Sequence, residues 1–373
     1  MPVLAIDRKL DASAVAQPPT LRVFEFGDVA VTADEIAGAD WRDLGRRHPR
    51  EAMYGSPGVV SALAGSLGQR GYGIEARCGS ALVGVLPLVH LRSRLFGSFL
   101  VSLPYVSWAG VVADDQGVAH ALVDSAVELA DTLDVDFLEL RQMTPLDHPA
   151  LTEGATRKAQ MVVPIARGAE AVWKGLKSEV RTQIRKARRN GLEVSWSDAG
   201  RSETLDTFYD VVAHNMRDLG TPVFPQRLFA DLIVATSGAS EIGVVRLHGK
   251  AVAACLAIHG DGLTEIPTAA SLRAYRGTAA NSLMYWDAIE RAIGRGQREF
   301  DFGRSTPDSA TYVFKRKWGA APVPVTWQYY LRRGSSERMR PESRRFDLAR
   351  EVWKRIPVAM TRMIGPSIVR GIP

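Results

Sequence analysis

Apolar positions along the chain switch between helical and strand-like spacing, and the sequence of switches runs through twice. Asp34 to His48 and Gly58 to Leu67 carry helical spacing. Tyr72 to Arg77 and Ala81 to Leu91 read as strands joined by the tight turn Cys78-Gly79-Ser80. Phe99 to Leu103 reads as a strand, Val118 to Leu133 as a periodic helix, and Asp136 to Arg141 as a strand with alternating apolar residues. The order then returns: helices Arg201 to Arg217 and Gln226 to Val234, a hairpin of Ile242 to Leu247 and Ala251 to Ile258 about His248-Gly249-Lys250, and strand Leu263 to Ala269. Helix Asn281 to Ile293, with Leu283, Trp286, Ile289 and Ile293 on one face, and strand Glu299 to Phe302 complete it. CGSALVGVLPLV resembles HGKAVAACLAIH, and DTLDVDFLELR resembles GRGQREFDFGR, so the matched order predicts an internal duplication. Hairpins followed by helical connections predict an α/β fold with mixed sheets, α+β in character, rather than a strictly parallel doubly wound sheet.

A chain of 373 residues with 46% hydrophobic content calls for two cores. The reading is a loose leader over 1–20 ending at Pro18-Pro19, a first domain over 21–165, a second over 166–331 and a tail over 332–373. The two cysteines, Cys78 and Cys255, lie far apart in β-like apolar runs and read as small buried fillers, with neither a disulfide framework nor a zinc site implied. The first residues hold no uninterrupted apolar stretch, and no later segment approaches the roughly 20 apolar residues of a membrane span. The chain therefore reads as cytoplasmic. Its net charge of +6 is concentrated at one end: from Arg332 onward there are 11 Lys/Arg and 4 Asp/Glu, leaving 36 and 37 in the rest. A near-neutral body argues against DNA as a partner.

Three constellations carry candidate chemistry. Lys174 to Arg189 is helix-forming and basic, stops at Asn190-Gly191, and aligns Val180, Ile184 and Ala187 in one apolar stripe. Arg181, Arg185 and Lys186 then point elsewhere, on a solvated face or toward a phosphate-bearing ligand. Asp301 and Arg304 stand at the end of a short strand, where crevices form in open α/β sheets, and the following helix supplies Lys315. A lysine near a reacting carbonyl stabilises the oxyanion of acyl transfer; the plainer reading is an Asp301–Arg304 ion pair with Lys315 at the surface. Tyr105 and Trp108 follow a strand and Pro104 and either wall an acceptor groove or simply pack. His214, Arg217 and Thr221 precede a loop within reach of an acceptor, and no G-x-S-x-G supports Ser-His-Asp chemistry.

Four ordered motifs then carry a resemblance: R-x-x-I-R-K-A-x-R-x-G-L-E-V at Arg181 to Val194, D-L-G-T-P-V-F at Asp218 to Phe224, F-D-F-G-R-S at Phe300 to Ser305 and F-K-R-K-W-G at Phe314 to Gly319. Together they resemble FemAB-like peptidyltransferases, most closely the subgroup associated with exosortase (PEP-CTERM) and exopolysaccharide clusters. The resemblance spans roughly Leu21 to Leu331 and is strong after Glu170. It implies two tandem GNAT-type domains and transfer of an acyl or aminoacyl group to an amine on a cell-envelope or exopolysaccharide precursor. Lys315 would steady the reacting carbonyl, with Phe314 and Trp318 beside it, and Asp301 and Arg304 would orient substrate. The amine would lose its proton to solvent or substrate.

The implied donor is a charged tRNA or an acyl thioester of coenzyme A or a carrier protein, with no permanently bound cofactor and no metal. Two departures bear on it. No long helical-hairpin arm fits between Arg201 and Ser240, and the acetyltransferase pyrophosphate pattern appears only as Ala274-Tyr-Arg-Gly277-Thr-Ala279, with its first position altered. An acyl-CoA or carrier-protein dependent N- or O-acyltransferase for sugars is the near alternative, and a non-catalytic nucleic-acid or envelope-scaffold protein the distant one. The tail mixes Leu348, Val352, Trp353, Met360, Met363 and Ile364 with Arg350, Lys354, Arg355 and Arg362. It reads either as a basic amphipathic element lying on the inner face of the membrane or as a segment packed on the body.

Overall fold

The computed structural model describes residues 18–26, 38–50, 52–154, 158–198, 202–236, 238–333 and 347–372. The leader through Gln17, the predicted helix before Gly38, Arg201 and the tail segment 334–346 lie outside the described residues. The first half holds β1 (Thr20–Phe26), α1 (Gly38–Arg47), α2 (Pro57–Leu67), the hairpin β2 (Arg70–Cys78) and β3 (Ala81–Ser93), and β4 (Gly97–Val101). It continues through β5 (Val112–Ala113), α3 (Gln116–Thr132) and β6 (Phe137–Gln142). Ser56 caps α2 by accepting from the Val59 amide, Pro57 opens the helix, and Gly68 ends it with φ of 61°.

After β7 (Thr152–Glu153) and β8 (Lys158–Pro164), the predicted basic helix appears as two, α4 (Ala169–Gly175) and α5 (Ser178–Arg189). The break has a clear cause: Leu176 turns extended, with φ of −64° and ψ of 143°, and drops its side chain into the core at 3% exposure. The second half continues with β9 (Leu192–Asp198), α6 (Ser202–Leu219), α7 (Gln226–Ala235), the hairpin β10 (Ser240–Leu247) and β11 (Lys250–His259), and β12 (Leu263–Ser271). A 3-10 turn (Arg273–Thr278), α8 (Ala280–Gly294), β13 (Glu299–Ser305), α9 (Ala310–Arg316) and β14 (Ala321–Leu331) follow, then α10 (Asp347–Trp353) and α11 (Val358–Val369). Cys255 is buried as expected, whereas Cys78 is exposed because it closes β2 at the hairpin turn.

The two halves share one mixed sheet in the order β1-β2-β3-β4-β6-β14-β8-β13-β12-β11-β10-β9. Its middle is built by exchange. β8 leaves the first half to pair with β13, and β14 returns from the second half to lie between β6 and β8. Among the described residues each half has one parallel pair, at an equivalent place: β4 with β6 over Phe99–Val101 and Phe137–Glu139, and β12 with β13 over Leu263–Glu265 and Glu299–Asp301. Beyond those three-residue contacts the parallel pairing ends, the place where crevices form in open α/β sheets.

Alternation along the strands sends side chains to two layers. Ile74, Leu86 and Leu138 of the first half pack against α3, and Ala253, Cys255 and Phe300 of the second pack against α5 and α8. On the opposite face, Val101 and Phe137 meet Val244 and Leu256 through α2, α6 and α7 in one core common to both halves.

The tail is packed on the body. Thr361, Gly365 and Val369 of α11 are buried, with Gly365 set against the Val223 backbone so closely that a Cβ would lie 3.0 Å from its N and O. Arg217 donates to the Ile356 carbonyl at 3.3 Å, and Arg362 pairs with Asp210 at 3.2 Å. The outward side of the same helices leaves Leu348, Val352, Met360, Met363 and Ile364 exposed, Leu348 and Met363 by 76% and 78%. Among the described residues, no helix is long and apolar enough to cross a membrane.

Candidate active site

The second-half crevice opens where β12 and β13 part, immediately after the register pair Glu265 and Asp301. Phe300 and Phe302 point into the helical side of the core, so Asp301 faces the other way, toward the first half. Gly303 then takes φ of 77°, a left-handed conformation in which a Cβ would meet the Ile266 carbonyl at 3.1 Å. The resulting bulge shifts the register of β13 against β8 between Asp301 and Arg304. Ser309 caps α9 by accepting from the Tyr312 amide at 3.2 Å, which aims Lys315 back at the bulge. Its ammonium donates to Gly303 O at 2.8 Å and Arg304 O at 3.2 Å.

The first half covers this point. Tyr54, from the loop before α2, donates its hydroxyl to Glu265, and Ser107 donates to the other Glu265 oxygen at 3.0 Å. Asp301 Oδ1 accepts from the Gly303 amide at 2.7 Å, with the Met161 amide nearby, and Oδ2 has no hydrogen-bond partner. Burial raises the Glu265 carboxyl above its usual range, against opposing hydrogen bonds from Tyr54 and Ser107. Asp301 is raised well above its own range by burial and by the Glu265 charge. The two buried carboxyls stand on neighbouring strands at a register pair, and each raises the cost of ionising the other. Burial also lowers Lys315 to about 8, although both carboxylates pull it upward. A buried lysine lowered to about 8 beside two buried carboxyls marks the end of β12 and β13 as the candidate site.

Arg304 does not pair with Asp301; its guanidinium lies over the Trp327 ring at 4.9 Å. Arg141 stacks on the same ring at 4.3 Å, donates to Glu139 at 2.8 Å, and bonds the carbonyls of Leu103 and Val106 at 3.3 and 3.1 Å. Glu139 and Arg141 occupy in β6 the place that Asp301 and Arg304 occupy in β13, so in the first half the ion pair is closed and the crevice is filled by its own loop. Residues absent from the sequence-based set are therefore Glu265, Tyr54 and Ser107. An acidic residue within the apolar run of β12 was the available signal for Glu265, whereas the other two reach the site only through tertiary packing.

The other candidates disperse. Arg181 caps α4, donating to the carbonyls of Trp173, Lys174 and Leu176, and Arg185 lies over the Trp173 ring at 5.5 Å. Lys186 is half-exposed on α5, whose end reaches the 3-10 turn through a 3.5 Å bond from Asn190 to Thr278 O. That turn holds the altered pyrophosphate pattern and leads into α8, whose N-cap residue Ala279 offers no side-chain cap. Phe314 is partly buried, and Trp318, at 1% exposure, is core beside Phe302 rather than a surface for substrate. Tyr105 fastens the tail, donating to Val369 O and Ile372 O, instead of walling a groove. Trp108 is buried against Tyr54 and donates to Arg50 O at 3.0 Å, which makes it support beneath the carboxyl pair. His214 and Arg217 line a separate cavity of about 450 Å³ with Lys250, Arg273 and Tyr275, and Thr221 is exposed in the following loop. Among the described residues, no group of His, Cys, Asp and Glu is placed to hold a metal ion.

Residues 175–316, which include every second-half group of this centre, match the protein-family model described as acetyltransferase (GNAT) domain. No curated protein sequence matches the chain. Among solved structures, FemX superposes with a TM-score of 0.57 at 14% identity, over 83% of this chain and 97% of that one. A tandem GNAT protein from the clavulanic acid biosynthesis pathway gives 0.53 at 13% identity, over 85% and 100%. The L-PGS structure from Bacillus licheniformis gives 0.52 at 12%, over 88% and 96%. The duplicated mixed sheet is thus the tandem GNAT-type fold, and its second half is similar in sequence to GNAT acetyltransferase domains.

Proposed function

We propose that the protein is an acyltransferase that moves an acyl or aminoacyl group onto an amine, at the second-half crevice. The observation that carries this reading is the cluster of Lys315, Asp301 and Glu265 where β12 and β13 part. In the proposed reaction the amine nitrogen attacks the donor carbonyl and a C–N bond forms. The C–O bond of a charged tRNA or the C–S bond of an acyl thioester breaks, the amine proton passes to a carboxylate of the Asp301–Glu265 pair, and that proton is handed on to the leaving oxygen or sulfur, which departs as the alcohol or thiol. That pair replaces the solvent or substrate base expected from sequence. The Lys315 ammonium stabilises the oxyanion, and Arg304, stacked on Trp327, orients substrate. The uncapped start of α8 and Lys186 offer the donor's phosphates a favourable end.

Within this reading the FemAB-like motifs favour a cell-envelope or exopolysaccharide precursor as acceptor, as in the exosortase-associated subgroup. The outward stripe of Met360, Met363 and Ile364, flanked by Arg355 and Arg370, fits peripheral contact with an anionic leaflet. Calorimetry of the purified chain with acetyl-CoA against charged tRNA separates the donors, and mass spectrometry of amine-bearing precursors detects the product. Lys315→Ala is expected to cut turnover by about 100-fold or more. Unchanged turnover in that variant would remove Lys315 from the mechanism.

A further inference from the structure

α11 ends against the loop that reaches the proposed centre. Its buried side, Thr361, Gly365 and Val369, sits on the second half, where Gly365 meets the Val223 backbone, and its last turn crosses to the first half. There Gln69 donates to the Arg370 carbonyl at 3.0 Å, and Gly371 lies so close to Ser93 that a Cβ would fall 2.5 Å from the serine's own. The Tyr105 hydroxyl donates to the carbonyls of Val369 and of Ile372, the second at 2.7 Å. Carbonyls at a helix end have no further turn to satisfy them, so a side-chain hydroxyl is a ready partner.

Tyr105 belongs to the loop between β4 and β5, and two residues later Ser107 donates to Glu265 at 3.0 Å. Glu265 receives one hydrogen bond at each oxygen, from Ser107 and from Tyr54. The loop is not relaxed: Leu103 and Tyr105, neither a glycine, hold φ of 53° and 68°. Left-handed backbone at such residues persists only where the surroundings impose it. Arg141 imposes it from the sheet, through the carbonyls of Leu103 and Val106, and the tail imposes it at Tyr105 itself. The Tyr105 ring also leans on Phe224 at 4.7 Å, next to the Val223 that seats Gly365.

We propose that Tyr105 is a positioning residue for acyl transfer and α11 the strut behind it: the seated tail holds Tyr105, and through it keeps Ser107 on Glu265. Contact with a leaflet leaves this strut in place, since Met360, Met363 and Ile364 face outward while Thr361, Gly365 and Val369 face the body. The tail is thereby part of the catalytic apparatus and not an appendage to it. The word positioning rests on the transfer reading, whereas the mechanical link from α11 to Glu265 is tested without it.

The link is read first with no substrate, by urea unfolding of the full chain from about pH 5 to about pH 8. Glu265 faces Tyr54, Ser107, Asp301 and, through their charges, Arg304 and Lys315, and the Ser107 bond is one of those that hold its raised carboxyl down. Between the ordinary value of 4.5 and the raised one, the folded protein binds more protons than the unfolded chain, so stability falls as pH rises. A carboxyl that loses Ser107 rises further, and the deficit against the wild type widens with pH. Tyr105→Phe keeps the ring and removes the hydroxyl; Gly365→Leu wedges α11 off Val223 from the tail side. Each is expected to lower the urea midpoint at least about twice as much at the upper pH as at the lower, as Ser107→Ala does. In a Ser107→Ala background both changes are expected to lose that pH dependence. A loss that is the same at every pH, or a pH dependence that survives Ser107→Ala, would overturn the proposal. Should Gly365→Leu not fold, Gly365→Ala is read by the same criteria.

Turnover is the second readout, with acetyl-CoA or charged tRNA as donor and hydroxylamine as the amine, followed as the hydroxamate. Tyr105→Phe is expected to cut kcat by about 10-fold or more and to move the acid limb of the pH profile upward, with the donor KM unchanged. A wild type that transfers nothing counts against the transfer reading alone, because the unfolding comparison stands without it. An active wild type whose kcat and acid limb ignore Tyr105→Phe counts against the strut alone.

Discussion

Replacing Lys315 by methionine keeps the reach of the side chain and removes its charge, so comparison with the wild type isolates one titration. Burial brings this lysine from 10.5 to about 8 in the folded protein. The unfolded chain therefore binds more protons between those values, and folding stability contributed by this site rises with pH across that window. Below about pH 8 the ammonium is retained in both states and its burial cost is fully present; above 10.5 the amine is neutral in both and the cost is gone. At about 1.4 kcal/mol per tenfold change in proton affinity, the gap corresponds to about 3 kcal/mol. Urea unfolding of both proteins at several values between about pH 7 and pH 10.5 reads this directly. The wild type is expected to gain about 3 kcal/mol on Lys315→Met over that range, with most other titrations cancelling in the difference. Parallel stability curves, or a wild type that loses ground as pH rises, would refute the perturbed lysine. The same value bears on catalysis: if the ammonium stabilises the oxyanion, turnover falls as pH rises through about 8.

Other consequences are open to simple tests. Arg141→Met leaves Glu139 buried without its cation and is expected to cost about 3–5 kcal/mol in denaturant unfolding; a loss near zero would show that the closed first-half pair is dispensable. Gly303→Ala places a Cβ 3.1 Å from the Ile266 carbonyl in left-handed backbone, and is expected to destabilise by about 1–3 kcal/mol and to abolish turnover, unlike Gly277→Ala, which meets nothing within 4 Å. Triple replacement of Met360, Met363 and Ile364 by serine is expected to reduce flotation with anionic vesicles while leaving melting unchanged, since all three side chains point outward. Vesicle binding that survives the change, or a wild type that ignores vesicles and self-associates through this face, would remove the membrane from the proposal.

The two hairpins were legible because Gly79 and Gly249 take positive φ between apolar strands, a local device that leaves its mark in a few residues. β14 left no such mark: Pro322 and Pro324 argue against a strand interior, yet both pair with β8, and its partners come from more than 150 residues away. The break between α4 and α5 was hidden for a related reason. Its composition is helical throughout, and burial of Leu176 overrides propensity. At the site, Asp301 and Lys315 could be singled out from the sequence, but the partner of Asp301 could not. Glu265 is opposite it only through parallel pairing of β12 and β13, and Tyr54 and Ser107 arrive from the other half. The plainer of the two readings paired Arg304 with Asp301, whereas its guanidinium lies over Trp327, beyond the bulge at Gly303.

The exchange of β8 and β14 removes the hinge that two tandem domains would ordinarily have. Bending one half against the other would mean unzipping ladders that β14 makes with β6 on one side and with β8 on the other. Tyr54 and Ser107 are therefore held over Glu265 as firmly as neighbouring strands are held to each other, and opening for substrate falls to side chains and loops rather than to domain motion. Cutting the chain near residue 165 would separate β14 from β6 and β8 from β13, leaving two fragments, each with an unsatisfied strand edge where its neighbour had been.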